Sequence, residues 1–258
     1  MRLKESEAIV LRSFKLAEAD KVIVFLTRTQ GTVRGVTKGA RRLKSRFGAS
    51  LEPFTLTQLT YFEKEGRELV QVRQSEIIRS YFNLARKEDA VAALEYLGEL
   101  VLEFAPPHQP DEKLFRMVKA VVAALDAAPE KLQALVRYFE IWILKLSGFM
   151  PDPRVCGVCG KALGTAGEGK VFLDADFSPR CERCSVKGAQ ELPPDTQTLL
   201  RTALSTPPET WAASAEAARP QARELLARLT RTLIERHLER RPRGASALTP
   251  AQNPLQGR

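Results

Sequence analysis

The four cysteines of the chain fall into two pairs, Cys156-Gly-Val-Cys159 and Cys181-Glu-Arg-Cys184, with 21 residues between the pairs. Each CxxC presents two thiolates from one tight turn. Two such turns supply the tetrahedral four-sulfur set that Zn²⁺ takes in a structural site with no open coordination position. The spacing is close to that of a zinc ribbon. Gly157 and Gly160 leave backbone N–H groups free to approach sulfur. The expected cofactor is one structural Zn²⁺ per chain, on Cys156, Cys159, Cys181 and Cys184. An iron–sulfur cluster uses the same donors and is the alternative. Disulfides require an oxidising compartment, and a redox CxxC opens a helix in a βαβ context. Nothing in this sequence supports either.

A second cluster has no chemistry of its own but much charge. In "KGARRLKSRFG", residues 38–48, five basic side chains fall within nine residues: Lys38, Arg41, Arg42, Lys44 and Arg46. Eight Lys/Arg and no acidic residue lie between Asp20 and Glu52. The chain carries a formal net charge of +9, of which +7 lies in residues 1–80 and +4 in residues 156–258, while residues 81–155 carry −2. A solvated surface usually mixes signs. A loop of one sign suits a polyanion, because guanidinium and ammonium groups spread over several phosphates. Arg34 extends the same groove, and Phe47, Phe54, Tyr61 and Phe62 are nearby aromatics of the kind that stack on bases, although core packing is the preferred reading for Phe54 and Phe62.

Signals for an enzyme are thin. His108 lies in a proline-rich linker and His237 on the last helical segment, neither with a partner at metal-ligand spacing. Phosphate-loop, nucleophile-elbow and zinc-protease motifs do not occur. Asp174 and Asp176 share a strand face by chance spacing, so no catalytic residue is assigned.

These groups need elements to hold them. Residues 1–80 read as about five short strands: "EAIVLRSF", two β-branched runs around Thr29-Gln30-Gly31, and an alternating pair around Glu65-Gly66. Five strands without a strong helix fit a small closed barrel, the five-stranded OB form, with an SH3-like barrel as competitor. The basic segment then lies in a loop between two strands. From about residue 81 the apolar period becomes helical, with three helices up to Gly148. Residues 151–190 form the four-cysteine module, with "KALGTAGEGKVFLDADFSPR" as a hairpin tipped by "GTAGEG". Residues 191–243 return to helix, with eight arginines from Arg219 to Arg243, and residues 244–258 read as a disordered tail. The fold class is therefore α+β multidomain: OB domain 1–80, helical domain 81–150 and 191–243, zinc module 151–190, tail 244–258. The helical middle is scaffold, or a groove in which Arg116, Lys119, Lys131 and Arg137 receive an acidic peptide. "MRLKESEAIVLRS" lacks the apolar core of a secretory signal, and no apolar run is long enough to span a bilayer, so the expected location is cytoplasmic, with no membrane partner.

The stretch "EADKVIVFLTRTQGTVRGVTKGARRLKSRFGASLEPFTL" closely resembles the N-terminal signature of the RecO family of bacterial DNA repair proteins. Glu18, Asp20, Gly31, Lys38, Gly39, Arg41, Arg42, Ser45, Arg46, Phe47, Leu51, Glu52, Pro53 and Phe54 stand at matching places. "GFMPDPRVCGVCG…CERC" resembles the family's second signature, in which a helix ends in Gly and a four-cysteine module follows. Some members lack these cysteines. The resemblance covers about residues 1–240. It implies an OB domain, a helical domain with an inserted zinc module, and no enzymatic turnover. It implies a recombination mediator that binds ssDNA and dsDNA and anneals complementary strands. Such a mediator acts with RecR in the RecFOR pathway and helps RecA displace single-strand-binding protein, whose C-terminal tail would meet the helical domain. Location at the nucleoid follows from that role. The DNA-binding residues expected are Arg34, Lys38, Arg41, Arg42, Lys44 and Arg46. The rival is an RNA-binding or transcription-associated zinc-ribbon/OB protein, which shares both motifs. Preference for RNA would favour it, because only RNA offers the 2′-OH.

Overall fold

The computed structural model describes residues 1–164 and 169–246. It divides into two compact units: Met1–Ala127 with the described residues from Arg243, and Ala128–Pro242.

In the first unit, β1 (Arg2–Lys15), β2 (Lys21–Thr27) and β3 (Gly31–Thr37) are joined by short turns, and β4 (Leu56–Glu63) and β5 (Leu69–Arg79) form a second hairpin. The five strands close in the order β1-β2-β3-β5-β4. Antiparallel β1–β4 pairing runs from Arg2↔Glu63 to Ile9↔Leu56, and a parallel contact from Arg34↔Leu69 to Val36↔Gln71 joins β3 to β5. This is the expected OB-like ring. The alternation seen in sequence puts Ala8, Val10, Ile23, Phe25, Val33, Leu59, Tyr61, Val70 and Val72 inside the barrel. A closed ring leaves no strand edge for foreign pairing.

The outer wall is apolar too. Ile9, Leu11, Val22, Val24 and Leu26 are all buried, although they lie outside the interior cluster. Such a wall needs cover, and the same unit contains α1 (Glu88–Phe104) and α2 (Glu112–Ala127). At Gly98 of α1 a methyl group would lie 3.5 Å from the Phe54 ring and 3.6 Å from the Leu11 carbonyl, so the helix reaches the barrel there. The segment between the two helices pairs with the start of β3: Thr32 bridges to Pro107, and the His108 amide donates to the Thr32 carbonyl at 3.3 Å. The first two helices thus group with the barrel, and the compact units divide after Ala127, not after residue 80.

The expected tail also differs. Arg243–Ser246 form a 3-10 turn that returns to α1. The Arg243 and Gly244 amides donate to Glu99 Oε2 at 2.9 and 3.4 Å. A Cβ on Gly244 would stand 2.8 Å from that of Tyr96, so only glycine fits this approach. A buried carboxylate 144 residues upstream orders a segment that composition reads as disordered. The rest of that tail, residues 247–258, lies outside the described residues.

The second unit contains α3 (Leu132–Leu146), a sheet of β6 (Val171–Leu173), β7 (Pro179–Cys181) and β8 (Gln190–Glu191) in the order β7-β6-β8, and α4 (Pro194–Ala203), α5 (Pro208–Ala217) and α6 (Pro220–Leu238). Its core gathers Leu135, Phe139, Ile143, Trp211, Leu226 and Ile234. Gly148, at φ +80°, ends α3 as expected, and the Phe149 amide closes back on the Leu144 carbonyl at 2.8 Å. Trp142 is a packing residue whose indole N–H donates to the Ala203 carbonyl at 2.9 Å.

Arg137 is not a surface cation. It pairs with Glu140, whose side chain is 4% exposed, and donates to Thr230 Oγ1 at 2.7 Å, which ties α3 to α6. Removing one partner of a buried pair strands the other charge. Arg137→Ala is expected to lower stability by about 3–5 kcal/mol. Denaturant unfolding measures this loss. The double change Arg137→Met, Glu140→Gln should recover a large part of it.

Candidate nucleic-acid interface and metal centre

The basic segment leaves the barrel at the end of β3 and returns to it through a 3-10 turn, Gly48–Leu51. Its two ends are fixed. The Gly39 amide donates to Asp20 Oδ1 at 2.8 Å, and the Arg41 amide donates to the Ala19 carbonyl at 3.0 Å. Phe47 and Leu51 enter the barrel interior, and Ala40 packs against them. Two turns build the middle: the Arg42 amide donates to the Gly39 carbonyl at 3.1 Å, and the Ser45 amide donates to the Arg42 carbonyl at 3.0 Å. The loop is therefore held by its backbone and its apolar residues, which leaves the cations facing water.

Lys38, Arg41, Arg42, Lys44 and Arg46 are all exposed. None forms a salt bridge with a carboxylate among the described residues, whereas many basic residues elsewhere are paired. Two have local work as well. Arg41 donates to the Glu18 and Ala17 carbonyls at 2.6 and 3.3 Å and clamps the β1–β2 turn. Arg46 lies 4.9 Å over the Phe47 ring. Arg34 stands on the outer face of β3 but pairs with Glu68 at 2.7 Å, so its charge is partly offset. Of the aromatics, Phe47, Phe54 and Tyr61 are buried, and Phe54 sits in a left-handed turn ahead of β4. They are not available for stacking. Phe62 is half-buried, with the Arg73 guanidinium 5.8 Å from its centroid.

A groove of about 470 Å³ opens elsewhere on the first unit, lined by Leu56, Tyr81, Phe115 and Ala120 and edged by Arg28, Arg79, Arg116 and Lys119. Arg28 and Lys119 both pair with Glu7, and the Lys119 hydrogen bond is the main cause holding that carboxyl below its usual range. Arg116 is exposed and has no carboxylate partner among the described residues. Arg116 and Lys119 were legible as a pair on one helix. Arg28 and Arg79 come from distant strands, and no local pattern links them.

In the second unit the cysteines converge. The four Sγ atoms all lie within 4.8 Å of one another, with Cys159 and Cys181 at 3.9 Å. Zinc–sulfur bonds of about 2.3 Å in a tetrahedron place sulfurs roughly 3.8 Å apart, so the cluster has the size of a four-thiolate metal site. It is the one such group of three or more His, Cys, Asp or Glu among the described residues. Local folding makes this possible. The Gly160 amide donates to the Cys156 carbonyl at 2.9 Å, which closes the first knuckle, and the Gly157 amide donates to the Pro179 carbonyl at 2.8 Å, which joins it to β7. A Cβ on Gly157 would collide with Ser178 Oγ at 2.3 Å. The amide of Cys159 and others aimed at its sulfur lower the Cys156 thiol to about 6. Cys184 is pushed up to about 12, first by its hydrogen bond with Cys181 and then by Cys159. Four thiols this close cannot all ionise unless a cation offsets them.

The hairpin of this module is not the one expected. β6 (Val171–Leu173) pairs with β7 (Pro179–Cys181), and the turn between them is residues 174–178. Asp174 Oδ1 accepts from the Asp176 and Ser178 amides, both at 2.9 Å, and Arg180 pairs with its other oxygen at 2.5 Å. Asp174 is thus a turn builder. Asp176 pairs with Arg236 of α6 at 3.1 Å. Residues 165–168, the centre of the expected "GTAGEG" tip, lie outside the described residues.

No helix among the described residues is long and apolar enough to cross a membrane. The barrel and the cysteine module match known families in the same order along the chain. Residues 1–81 match the model described as Recombination protein O N terminal, and residues 88–246 match Recombination protein O C terminal. A DNA repair protein RecO of Anaeromyxobacter dehalogenans is 36% identical over 237 residues, covering 90% of this chain and 91% of its own. That of Rubrobacter xylanophilus is 32% identical over 255 residues, covering 97% of both, and that of Koribacter versatilis 30% over 242 residues, covering 93% and 95%. Two domain models that together span nearly all the described chain, and relatives matched almost end to end, fit the closed barrel, the basic loop and the cysteine cluster: the chain belongs to the RecO family of DNA repair and recombination proteins.

Proposed function

We propose that this protein is a recombination mediator that binds single- and double-stranded DNA without sequence preference and anneals complementary strands. Lys38, Arg41, Arg42, Lys44 and Arg46 hold the phosphate backbone, with Arg34 at the margin. The observation that carries this reading is the loop itself: five exposed cations without a carboxylate partner, on a backbone anchored at both ends. Two strands repel through their phosphates. A rigid cationic surface lowers that repulsion and concentrates the strands, while base pairing supplies the selectivity. No bond is made or broken by the protein, so the reading needs no catalytic residue.

With RecR as partner, the protein would help RecA onto DNA covered by single-strand-binding protein. An acidic, apolar C-terminal tail of that protein suits the groove beside Phe115, whose floor is apolar and whose edge carries Arg116 and Lys119. The cysteine cluster would hold one structural Zn²⁺, which supplies a closed four-thiolate cross-link and leaves no coordination position for a substrate. Such a protein would work in the cytoplasm, at the nucleoid.

The test is annealing of complementary oligonucleotides precoated with single-strand-binding protein. The expected result is rapid annealing with intact coating protein and slow annealing when its tail is deleted. Absence of annealing in both, with tighter binding to RNA than to DNA of the same sequence, would replace this reading by the RNA-binding one.

A further inference from the structure

Leu43 is 103% exposed, the highest value among the large apolar side chains of the chain described as exposed. It occupies the first central position of the turn closed by the Ser45 amide on the Arg42 carbonyl, which is the apex of the basic loop. The other large apolar side chains there turn inward: Phe47 and Leu51 belong to the barrel cluster, and Ala40 packs against it. No aromatic ring of the segment is free to meet a base, because Phe47 is 3% and Phe54 1% exposed. Leu43 is therefore the one large apolar group the loop offers outward. Arg42 and Lys44 flank it directly, with Arg41 and Arg46 beyond.

Isolated exposed leucines are common and need no function. This one differs in its setting. The loop is fixed by Asp20, by the clamp of Arg41 on the β1–β2 turn, and by Phe47 in the core, so its apex does not need to fold on binding. Cations on both sides would seat phosphates to either side of Leu43. An apolar contact at the apex then requires the strand to turn its bases toward it. Apolar side chains flanked by cations enter base steps in several DNA-bending proteins, where they unstack neighbours.

We propose that Leu43 is an apolar wedge that inserts between neighbouring bases of the DNA strand seated on the loop and unstacks them. The inference rests on the DNA-binding reading above. It adds a consequence for annealing: an unstacked base shows its pairing edge to an incoming complement, so the loop would prepare the strand as well as neutralise it.

The probe is a single-stranded oligonucleotide with 2-aminopurine between adenines, whose fluorescence is quenched by stacking. Affinity is followed in parallel by anisotropy of an end-labelled strand. The full chain is expected to raise 2-aminopurine fluorescence well above that of the free strand, because the wedge separates the probe base from its neighbour. Leu43→Ala should keep its affinity within about twofold, because no phosphate contact is removed, yet abolish the increase. Leu43→Met, a flexible apolar replacement, should restore it. An unchanged signal in wild type despite saturating binding would overturn the wedge and leave the DNA-binding reading intact. So would an equal rise with Leu43→Ala. If wild type does not bind the oligonucleotide at all, the DNA-binding reading fails and the wedge fails with it.

Discussion

Replacing Lys38, Arg42, Lys44 and Arg46 by alanine should leave a folded protein whose DNA affinity is much lower and far less sensitive to salt. Each phosphate neutralised on a duplex contributes about −0.9 to the slope of log K against log salt concentration, so four lost contacts should flatten it by about 3–4. At about 0.1 M salt the loss of counterion release alone amounts to roughly three to four orders of magnitude in affinity. Arg41 is left in place on purpose. Its guanidinium clamps the Ala17 and Glu18 carbonyls, so its removal would disturb the loop and confuse charge with fold. The four chosen side chains have no carboxylate partner among the described residues, and their truncation strands no buried charge. Titrations of a labelled duplex from about 50 to 200 mM salt give both slopes. An unchanged slope in a variant with wild-type thermal stability would move the DNA path off this loop, toward the exposed arginines of α6 such as Arg223 and Arg228.

The second large effect concerns the cysteines. One zinc per chain is expected by metal analysis, and Cys156→Ser with Cys159→Ser should abolish it. The free energy at stake is large, because structural zinc sites in small modules bind with apparent values of about 10–16 kcal/mol at neutral pH. The β-structure among the described residues of 151–191 is small: three short strands, Val171–Leu173, Pro179–Cys181 and Gln190–Glu191. Hydrogen exchange should therefore rise at the Gly157 and Gly160 amides and across the turn at residues 174–178. The effect should reach α6, because Arg236 loses its bonds to Asp176 Oδ1 and the Ala175 carbonyl when that turn melts. Barrel amides, such as those of β2 and β3, should keep their protection. A double variant with full zinc content and normal thermal stability would sink this assignment. Iron in place of zinc would select the cluster alternative instead.

The legible parts of this protein are those whose signals are local. Alternation marked β4 and β5 as strands because the side-chain period of a strand is two, but it did not say which face is inward: Leu59 and Tyr61 fill the barrel, while Phe62 on the other face is half-buried. The cysteine pairs announce their turns because the ligands of each knuckle are three residues apart. The basic loop was visible as charge, but its anchoring was not. Nothing in the spacing says that Asp20 would hold Gly39, or that Phe47 would turn inward while Leu43 turns out. Phe54 packs in the core, as its apolar character favours, but not as a β4 residue: it precedes the strand and bends at φ +59°. The module's hairpin was placed on glycines, the usual turn formers, whereas the turn at residues 174–178 is made by the Asp174 side chain bonding two amides. Of the groove near Phe115 only Arg116 and Lys119 were legible, since Arg28 and Arg79 come from distant strands, and the return of residues 243–246 to α1 escaped altogether because it joins residues far apart in sequence.

That return sets an order of events during synthesis. The first compact unit is discontinuous: Met1–Ala127 leave the ribosome early, and Arg243 follows 144 residues after the Glu99 carboxylate that receives its amide. At about 5–20 residues per second, the gap is roughly 7–30 s. Over that time the nascent barrel already shows its cationic loop, while the Tyr96 surface of α1 awaits Gly244. A ribosome stalled before residue 243 would hold a unit with its last piece missing and an exposed patch on α1. The closing turn is therefore among the last pieces of the first unit to be made, although the unit begins at residue 1.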